Sequence, residues 1–429
     1  MSKLWFKANK IIPGGNTLIS KRPQLWLPKK WPTHFLKAKD INVFDEKNNK
    51  YTDCVFAVGT NVLGYCNKNI DNYVKKAIDK GVMSSLNCKE EILFAEEILK
   101  ANKWAGMVKF ARGGGEANSI AVRIARCNTK NTNIAFCGYH GWHDWYVSSN
   151  LTSKKSLDGH LIEGINVKGT PNSFVNTSFP FKYNDLDGLK KLISNKKIGV
   201  IIMEVKRYIE PKNDFLKKVR DLCDKKNIIL IFDECTTGFR ENYGGLHQNY
   251  KVYPDIAMYG KAIGNGYAIN AIVGKKELML NSKDSFISST FWGERVGFAA
   301  GIATLREMKK TNSWKIIKSQ GQEIINKWKR IAHQNKVKIR ILGIPSIPTM
   351  VFETNNLVYK TLIAQEFLKH KILASNIFYV STKHTTRKLS NYFDKLNDIF
   401  SIINKVEKGD DIKKYLKSEI VESHFSRLN

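Results

Sequence analysis

An aspartate and a lysine in this 429-residue chain each follow a short apolar stretch, and together they suit one kind of chemistry. Asp233 comes directly after residues 228–232, and Lys261 comes one glycine after residues 256–259. Both stretches predict buried strands of a parallel sheet, whose carboxyl ends face the ligand crevice. Pyridoxal phosphate needs a lysine amine for a Schiff base and a carboxylate for its pyridine nitrogen. The plainer alternative is a capping aspartate and an exposed loop lysine.

Three consecutive glycines, residues 113–115, form a second feature that favours the cofactor interpretation. They follow a strand-like stretch, 107–111, and precede apolar residues at helical spacing: Ala117, Ile120, Ala121, Ile124 and Ala125. A helix N-terminus with free amides attracts a phosphate. The glycines match neither the P-loop nor the dinucleotide fingerprint. The alternative is an ordinary tight turn between strand and helix.

An aromatic residue and two histidines follow the next predicted strand, 134–137. Tyr139 could stack on a planar ring, or simply pack within an aromatic turn. His140 and His143 are three residues apart with one acid nearby, which is a weak metal signal. We therefore expect stacking by Tyr139 and no metal site.

The composition is that of a globular protein with a strong positive charge. The 70 basic and 39 acidic residues give a net charge of +31, which could attract polyanions. The lysines are scattered among Asn and Ile, however, so codon bias explains the charge better than a nucleic-acid surface. Seven dispersed cysteines form no metal or disulfide pattern. No signal core or membrane span is visible, and we expect a cytoplasmic protein without nucleic-acid or membrane partners.

Strand-like and helix-like stretches alternate from residue 107 to residue 274, which predicts an α/β fold with a mostly parallel sheet. We expect an N-terminal arm with part of a small domain in residues 1–55. A large cofactor-binding domain would cover 56–310, and a C-terminal small domain would cover 311–429. The long polar stretch 151–179 suggests a lid.

The sequence resembles class III pyridoxal-phosphate aminotransferases, especially the branch of glutamate-1-semialdehyde 2,1-aminomutase. The resemblance covers nearly the whole chain. It is carried most specifically by three motifs: Tyr139-His140-Gly141, Phe232 to Arg240, and Pro254-Asp255 leading to Gly260-Lys261. It implies the fold type I of these transferases, with a mostly parallel central sheet in a large domain and a smaller α+β domain.

The resemblance also implies the roles of individual residues. Lys261 would carry the internal aldimine of pyridoxal 5'-phosphate and move protons, and Asp233 would pair with the pyridine nitrogen. Gly114 and Gly115 would bind the phosphate through their amides, and Tyr139 would cover the ring.

Further implied contacts extend to a second subunit and to the substrate. Cys235 stands where the family usually has a valine against the opposite ring face. Thr290 matches a threonine that reaches the phosphate of the neighbouring subunit, which implies a homodimer with shared active sites. In the aminomutase branch an N-terminal arginine holds the substrate carboxylate, and Lys21 or Arg22 is nearest to that position here.

Two departures from the family pattern bear on the substrate. The phosphate loop Ser-Gly-Thr is replaced by three glycines, so a hydroxyl contact is lost. Residues 291–295 place Phe291, Trp292 and an adjacent pair of charges, Glu294 and Arg295, where the aminomutase branch has smaller residues. Arg295 could bind a carboxylate or phosphate, or Glu294 next to it could simply neutralise it. We therefore expect Trp292 and Arg295 to shape a substrate site for amino transfer to a separate carbonyl compound, such as a sugar or another biosynthetic aldehyde. The alternative is the intramolecular aminomutase reaction giving 5-aminolevulinate.

Overall fold

The structure, a computed structural model, describes residues 2–158, 160 and 167–422. Contacts between residues divide these into two compact units, one formed by residues 2–67 with 316–422 and the other by residues 68–315. The expected domain boundaries after residues 55 and 310 stay a prediction. The expected lid at 151–179 and the charged C-terminal tail lie partly outside the described residues.

The described residues form thirteen strands and fourteen α-helices. The strands are β1 (Phe35–Lys39), β2 (Asn42–Asp45), β3 (Lys50–Asp53), β4 (Met107–Ala111), β5 (Asn133–Cys137), β6 (Ser178–Pro180), β7 (Ile198–Glu204), β8 (Ile229–Glu234), β9 (Ile256–Tyr259), β10 (Asn270–Gly274), β11 (Ile339–Ile344), β12 (Ile347–Phe352) and β13 (Ile372–Leu373). The helices are α1 (Lys3–Ile11), α2 (Phe56–Gly59), α3 (Lys68–Ile78), α4 (Lys89–Ala101), α5 (Gly114–Cys127), α6 (Asp144–Val147), α7 (Ser149–Thr152), α8 (Leu186–Lys196), α9 (Phe215–Lys226), α10 (Lys276–Leu280), α11 (Arg295–Thr311), α12 (Ser313–Gln334), α13 (Asn356–Lys369) and α14 (Ser390–Glu407).

A seven-stranded sheet in the order β4-β10-β9-β8-β7-β5-β6 forms the centre of the larger unit. Strands β9, β8, β7, β5 and β6 are parallel, and only β10 runs antiparallel to its neighbours β4 and β9. The connection from β9 to β10 is ten residues long and contains no α-helix, too short for a parallel crossover. The predicted α/β fold with a mostly parallel sheet is confirmed.

The core of this unit explains the apolar stretches in the sequence. Every residue of β7 is buried, as expected for a strand covered on both faces by helices. Helix α5 packs on the sheet through small side chains, Ala117, Ala121 and Ala125, which are fully buried. Small residues let the helix axis approach the sheet, and this fixes the start of α5 close to the strand ends.

The other unit contains the four-stranded sheet β1-β2-β3-β13 and the hairpin β11-β12. Its core is aliphatic and aromatic and includes the buried Trp328, whose Nε1 donates to the Tyr392 hydroxyl at 3.0 Å. The last α-helix of this unit, α14, begins at Ser390. The preceding residues form a turn in which the amide of Leu389 donates to the Thr385 carbonyl at 3.1 Å.

Among the described residues, no helix is both long and apolar enough to cross a bilayer.

Candidate active site

Asp233, Lys261 and the three glycines lie at one edge of the large sheet, where its parallel strands have their carboxyl ends. Asp233 pairs in register with Glu204 of β7 and with Met258 of β9. Because β8 and β9 are parallel, Asp233 and Lys261 follow strands that end side by side. Strand β4 ends at Ala111, opposite Asn270 at the start of β10, which places the three glycines at the same edge.

Asp233 is almost fully buried and is held by three hydrogen-bond donors. Asn118 Nδ2 and His140 Nδ1 donate to its Oδ2 at 2.8 and 2.9 Å, and the amide of Cys235 donates to Oδ1 at 3.0 Å. Burial alone would raise the pKa of Asp233, but the hydrogen bond and charge of His140 and the two other donors lower it below its ordinary value. The carboxyl group is therefore ionised at neutral pH. In the described part of the chain Oδ1 accepts the Cys235 amide, which leaves it a second lone pair.

The neighbouring carboxylate, Glu234, points to the opposite face of the sheet and serves the architecture. It is fully buried and accepts hydrogen bonds from the Thr237 hydroxyl at 2.6 Å and from the amides of Leu246 and His247 at 2.9 Å each. These contacts close the loop that follows β8. Alternation along the strand thus gives the two adjacent acids separate roles.

Lys261 begins a short 3-10 helix, Lys261–Gly264, in a left-handed backbone conformation with a φ of 43°. A residue with a side chain is strained there, and such strain concentrates at functional sites. Its Nζ donates to Thr236 Oγ1 at 2.7 Å. Since Thr236 is three residues beyond Asp233, the amine lies beside the loop that follows β8.

The three glycines form the start of α5, with Gly113 as the N-cap residue. Glu116 Oε2 accepts the amides of Arg112 at 2.8 Å and Gly113 at 3.2 Å. The amides of Gly114 and Gly115 lie in the first turn of α5, where backbone N–H groups have no carbonyl partner within the helix. These two amides can therefore bind an anion.

Close contacts explain why glycine occupies these positions. A Cβ on Gly114 would lie 3.1 Å from Cys235 Sγ, and one on Gly115 would lie 3.0 Å from His143 Nδ1. Gly141, with a φ of 103°, packs so closely that a Cβ there would lie 2.6 Å from the Gly115 Cα. The loop after β5 is thus seated directly on the glycines.

Tyr139 is partly buried at the end of β5, two residues before Gly141. Its ring meets Tyr146 edge to face, with centroids 6.2 Å apart, and its amide donates to Glu204 Oε2 at 3.3 Å. Next to this loop, a cavity of about 600 Å³ extends along the outer face of α5. Its lining includes Glu116, Ser119, Arg123, Arg126, Trp142, His143, Trp145, Phe174, Phe286 and Trp292.

The segment 290–295 is fixed by charges that the sequence suggested would neutralise each other. Glu294 instead caps α11, accepting the amides of Val296 and Gly297 at 2.8 and 2.9 Å, and pairs with Arg112 at 3.3 Å. Arg295 Nη1 donates to the carbonyls of Lys80 and Gly81, and its Nε lies 3.2 Å from Glu90 Oε2. The alternative in which Glu294 neutralises Arg295 is wrong, because the amides at the start of α11 and the Arg112 guanidinium engage that carboxylate.

The remaining predicted residues lie in different parts of the chain. Thr290 is exposed at the start of a 3-10 helix, Thr290–Gly293, and Trp292 lies on the wall of the cavity. Lys21 and Arg22 belong to the other compact unit, where Lys21 is exposed and Arg22 is half-buried. Their expected roles stay predictions. No group of three or more metal-ligating side chains occurs in the described part of the chain.

Comparison with known proteins identifies the family. The model of the family "Aminotransferase class-III" matches residues 29–373. The chain belongs to the class III aminotransferases. It is 30% identical to the 3-aminobutyryl-CoA aminotransferase of Cloacimonas acidaminovorans, over 94% of this chain and 97% of that protein. It is 31% identical to the glutamate-1-semialdehyde 2,1-aminomutase of Wigglesworthia glossinidia brevipalpis, over 94% and 98% of the two chains.

The fold of this class III protein is also found in solved structures. FumI of Sphingopyxis sp. MTA144, in a form with pyridoxal phosphate, superposes with a TM-score of 0.85 at 22% identity, covering 95% of this chain and 97% of that one. The predicted family, the type I transferase fold and the enzymatic nature of the chain are confirmed. Its cofactor is pyridoxal 5'-phosphate.

The residues at the sheet edge fit that cofactor. The glycine amides offer a phosphate cradle, and side chains at positions 114 and 115 would press against Cys235 and His143 beside it. Asp233 is an ionised carboxylate, which suits a protonated ring nitrogen. Two supporting residues, Asn118 and His140, were not assigned roles from the sequence. The signal was weak because each lies on a different element from Asp233 and meets it only in the fold.

Proposed function

We propose that this enzyme transfers an amino group between two separate small molecules, with Lys261 and Asp233 as its catalytic residues. The observation that carries the proposal is the joint position of both residues and the glycine cradle at the carboxyl edge of one sheet. In parallel α/β sheets this edge is where ligands bind.

When bound, pyridoxal phosphate supplies an aldehyde for the amino group and a ring that accepts electrons. Lys261 Nζ provides the amine that holds the cofactor covalently and afterwards moves protons. Thr236, whose hydroxyl accepts from this amine at 2.7 Å, orients it. Asp233 holds the proton at the ring nitrogen, while Asn118 and His140 fix the carboxylate in place. The amides of Gly114 and Gly115 bind the phosphate, and Tyr139 and Cys235 are proposed to cover the two ring faces.

Two substitutions test these assignments separately. Lys261→Ala removes the amine, so borohydride treatment should no longer trap the cofactor on the protein, and turnover should cease. Lys275→Ala is the matched control, since Lys275 follows β10 at the other edge of the sheet and pairs with Asp255. Undiminished trapping in Lys261→Ala would rule out this lysine.

Asp233→Asn keeps the size of the side chain but removes its charge. We expect this variant to bind the cofactor and to lose most of its turnover, because a neutral amide does not hold the ring-nitrogen proton. Absorbance reports bound cofactor and a steady-state assay reports turnover. Near-normal turnover would contradict the role of Asp233.

The proposed acceptor is an anionic carbonyl compound such as a sugar derivative or another biosynthetic aldehyde. Support comes from the cavity along the outer face of α5, whose walls carry Trp142, Trp145 and Trp292 together with two arginines, Arg123 and Arg126, and two acids, Glu116 and Asp144. Aromatic faces stack on rings, and arginines bind carboxylates or phosphates. The bonds of Arg295 to Glu90 and to two carbonyls argue against its predicted substrate role within a single chain.

The aminomutase reaction is the second candidate, favoured by 31% identity to a glutamate-1-semialdehyde 2,1-aminomutase over 94% of the chain. A single-turnover assay with the amine form of the cofactor separates the two. We expect amino transfer to a keto-sugar or to another supplied carbonyl compound, leaving the aldehyde form behind. Rapid conversion of glutamate-1-semialdehyde to 5-aminolevulinate, with no reaction toward other carbonyl compounds, would establish the aminomutase.

We also propose that two copies of this chain form the working enzyme. Several large apolar side chains around residues 80–86 and 286–292 are exposed, with Leu86 82%, Phe286 85% and Phe291 67% accessible. The two stretches adjoin, because the amide of Arg295 donates to the Val82 carbonyl at 3.0 Å. Adjoining exposed apolar side chains of this size are typical of an interaction surface and suit a second copy.

Sedimentation and subunit mixing test the dimer. Phe286→Asp should shift the protein toward the monomer, whereas Phe6→Asp, an exposed phenylalanine of the other unit, should not. If Thr290 serves the partner's phosphate, inactive Lys261→Ala and impaired Thr290→Ala chains should regain activity when mixed, because one site of the heterodimer then carries neither lesion. A fully active monomer would refute the shared site.

A further inference from the structure

His143 presents an unused hydrogen-bonding atom to the glycines at the start of α5. Its Nδ1 is buried and has no hydrogen-bond partner among the described residues. The same atom lies 3.0 Å from where a Cβ on Gly115 would stand, and Cε1 lies 3.2 Å from that point. The imidazole therefore occupies the space into which a side chain at position 115 would project.

Neighbouring residues hold the imidazole in this position, but none of those described accepts or donates a hydrogen bond at Nδ1. Trp142 stacks on His143 with ring centroids 4.4 Å apart and an interplanar angle of 27°. The nearby Glu116 carboxylate already accepts the amides of Arg112 and Gly113. A buried polar atom without a partner is costly, so an unpartnered imidazole nitrogen beside an anion cradle suits a hydrogen bond to the anion.

The protonation of His143 suits an incoming anion. Burial lowers its pKa, although the charges of Glu116 and Asp144 oppose the effect, so the ring is neutral at pH 7 before an anion binds. A neutral imidazole can carry its hydrogen on Nδ1 and donate it to a phosphate oxygen. The negative charge of a phosphate bound beside the ring would also favour uptake of a second proton.

We propose that His143 is a side-chain ligand of the cofactor phosphate and takes the place of a side chain at position 115. The inference rests on the proposed binding of the phosphate at Gly114 and Gly115. The three glycines can offer the phosphate only backbone amides. His143 adds a side-chain donor, which the glycines lack. The absence of a Cβ at Gly115 is what gives the imidazole room.

The test compares ligands with and without a phosphate. Dissociation constants of pyridoxal phosphate and of pyridoxal are measured by fluorescence for the wild type, His143→Ala and His143→Asn. Asparagine can place an amide donor near the position of Nδ1. We expect His143→Ala to weaken binding of pyridoxal phosphate about tenfold or more, as for a hydrogen bond to a charged group. His143→Asn should restore most of this loss, and pyridoxal should bind all three proteins alike.

Phosphorus NMR of the bound cofactor gives a second readout, since loss of the imidazole should shift the phosphate resonance and its pH dependence. Equal weakening of both ligands by His143→Ala, or no weakening of either, would overturn the inference. Borohydride trapping at Lys261 in the wild type is scored separately. A failure of trapping refutes the proposed function, whereas normal trapping with an unchanged affinity ratio refutes only the role of His143.

Discussion

Lys360 on helix α13 offers a quantitative test of the energetics of the smaller unit. Its side chain is 2% exposed, and Nζ has no hydrogen-bond partner in the part of the chain that the structure describes. Burial lowers the pKa of Lys360 from 10.5 to about 7. Replacing it by methionine keeps a long, flexible side chain and removes the charge.

The magnitude follows from the difference between the folded and unfolded pKa values. At 1.36 kcal/mol per pKa unit, the decrease in the pKa of Lys360 from 10.5 to about 7 costs the folded state about 5 kcal/mol when the amine is protonated. Between these values the unfolded chain binds more protons, so the stability of the wild type rises with pH. The cost of Lys360 is complete below pH 7, falls to about 2 kcal/mol at pH 9 and vanishes above pH 10.5.

Lys360→Met should therefore stabilise the smaller unit most at neutral pH and progressively less toward pH 9. Hydrogen exchange of the α13 amides, corrected for intrinsic rates, measures this without requiring two-state unfolding of the whole chain. Lys369→Met, an exposed lysine of the same helix paired with Glu366, is the control and should change protection little. A gain for Lys360→Met that is equal at pH 7 and pH 9 would indicate a packing effect and refute the reasoning.

Two further substitutions probe the active site. His140→Phe removes the donor that most lowers the pKa of Asp233, so the acidic limb of the kcat/KM profile should move to higher pH; an unmoved limb would exclude this coupling. Gly141→Ala places a Cβ 2.6 Å from the Gly115 Cα at a positive φ, and equilibrium dialysis should show clearly weaker cofactor binding. Gly81→Ala, also at a positive φ but in open space, is its control, and equal losses in both variants would point to backbone strain alone.

The positions of the buried strands and the edge that carries the chemistry could be predicted because both depend on local patterns. The apolar stretch of β7 predicted a strand with the bounds later found, Ile198–Glu204, and the stretch at 256–259 did the same for β9. Strands of a buried parallel sheet appear in the sequence as continuous apolar stretches, and charged residues or glycines mark their ends. Asp233 and Lys261 stood out for this reason.

Contacts between elements could not be predicted from such patterns. Asn118 and His140 meet Asp233 over separations of 115 and 93 residues. Nothing in the local sequence indicates that either side chain contacts Asp233, although His140 belongs to a motif that the family resemblance singles out. The adjacency of Glu294 and Arg295 suggested an ion pair between them. In the fold, Glu294 pairs with Arg112, 182 residues away, because its carboxylate also caps α11.

Because Asp233 serves the cofactor site and Glu234 serves the fold, the register of strand β8 in the sheet is constrained by chemistry as well as by packing. Side chains alternate between faces, so a slip of one residue would move each carboxylate to the opposite face of the sheet. The glutamate would then lie on the face of Asn118, and the aspartate on the face of His247. Single-residue deletions within the apolar part of β8 should therefore reduce stability and activity far more than the loss of buried apolar area alone would. Substitutions that keep the register, such as Ile231→Val, should be tolerated.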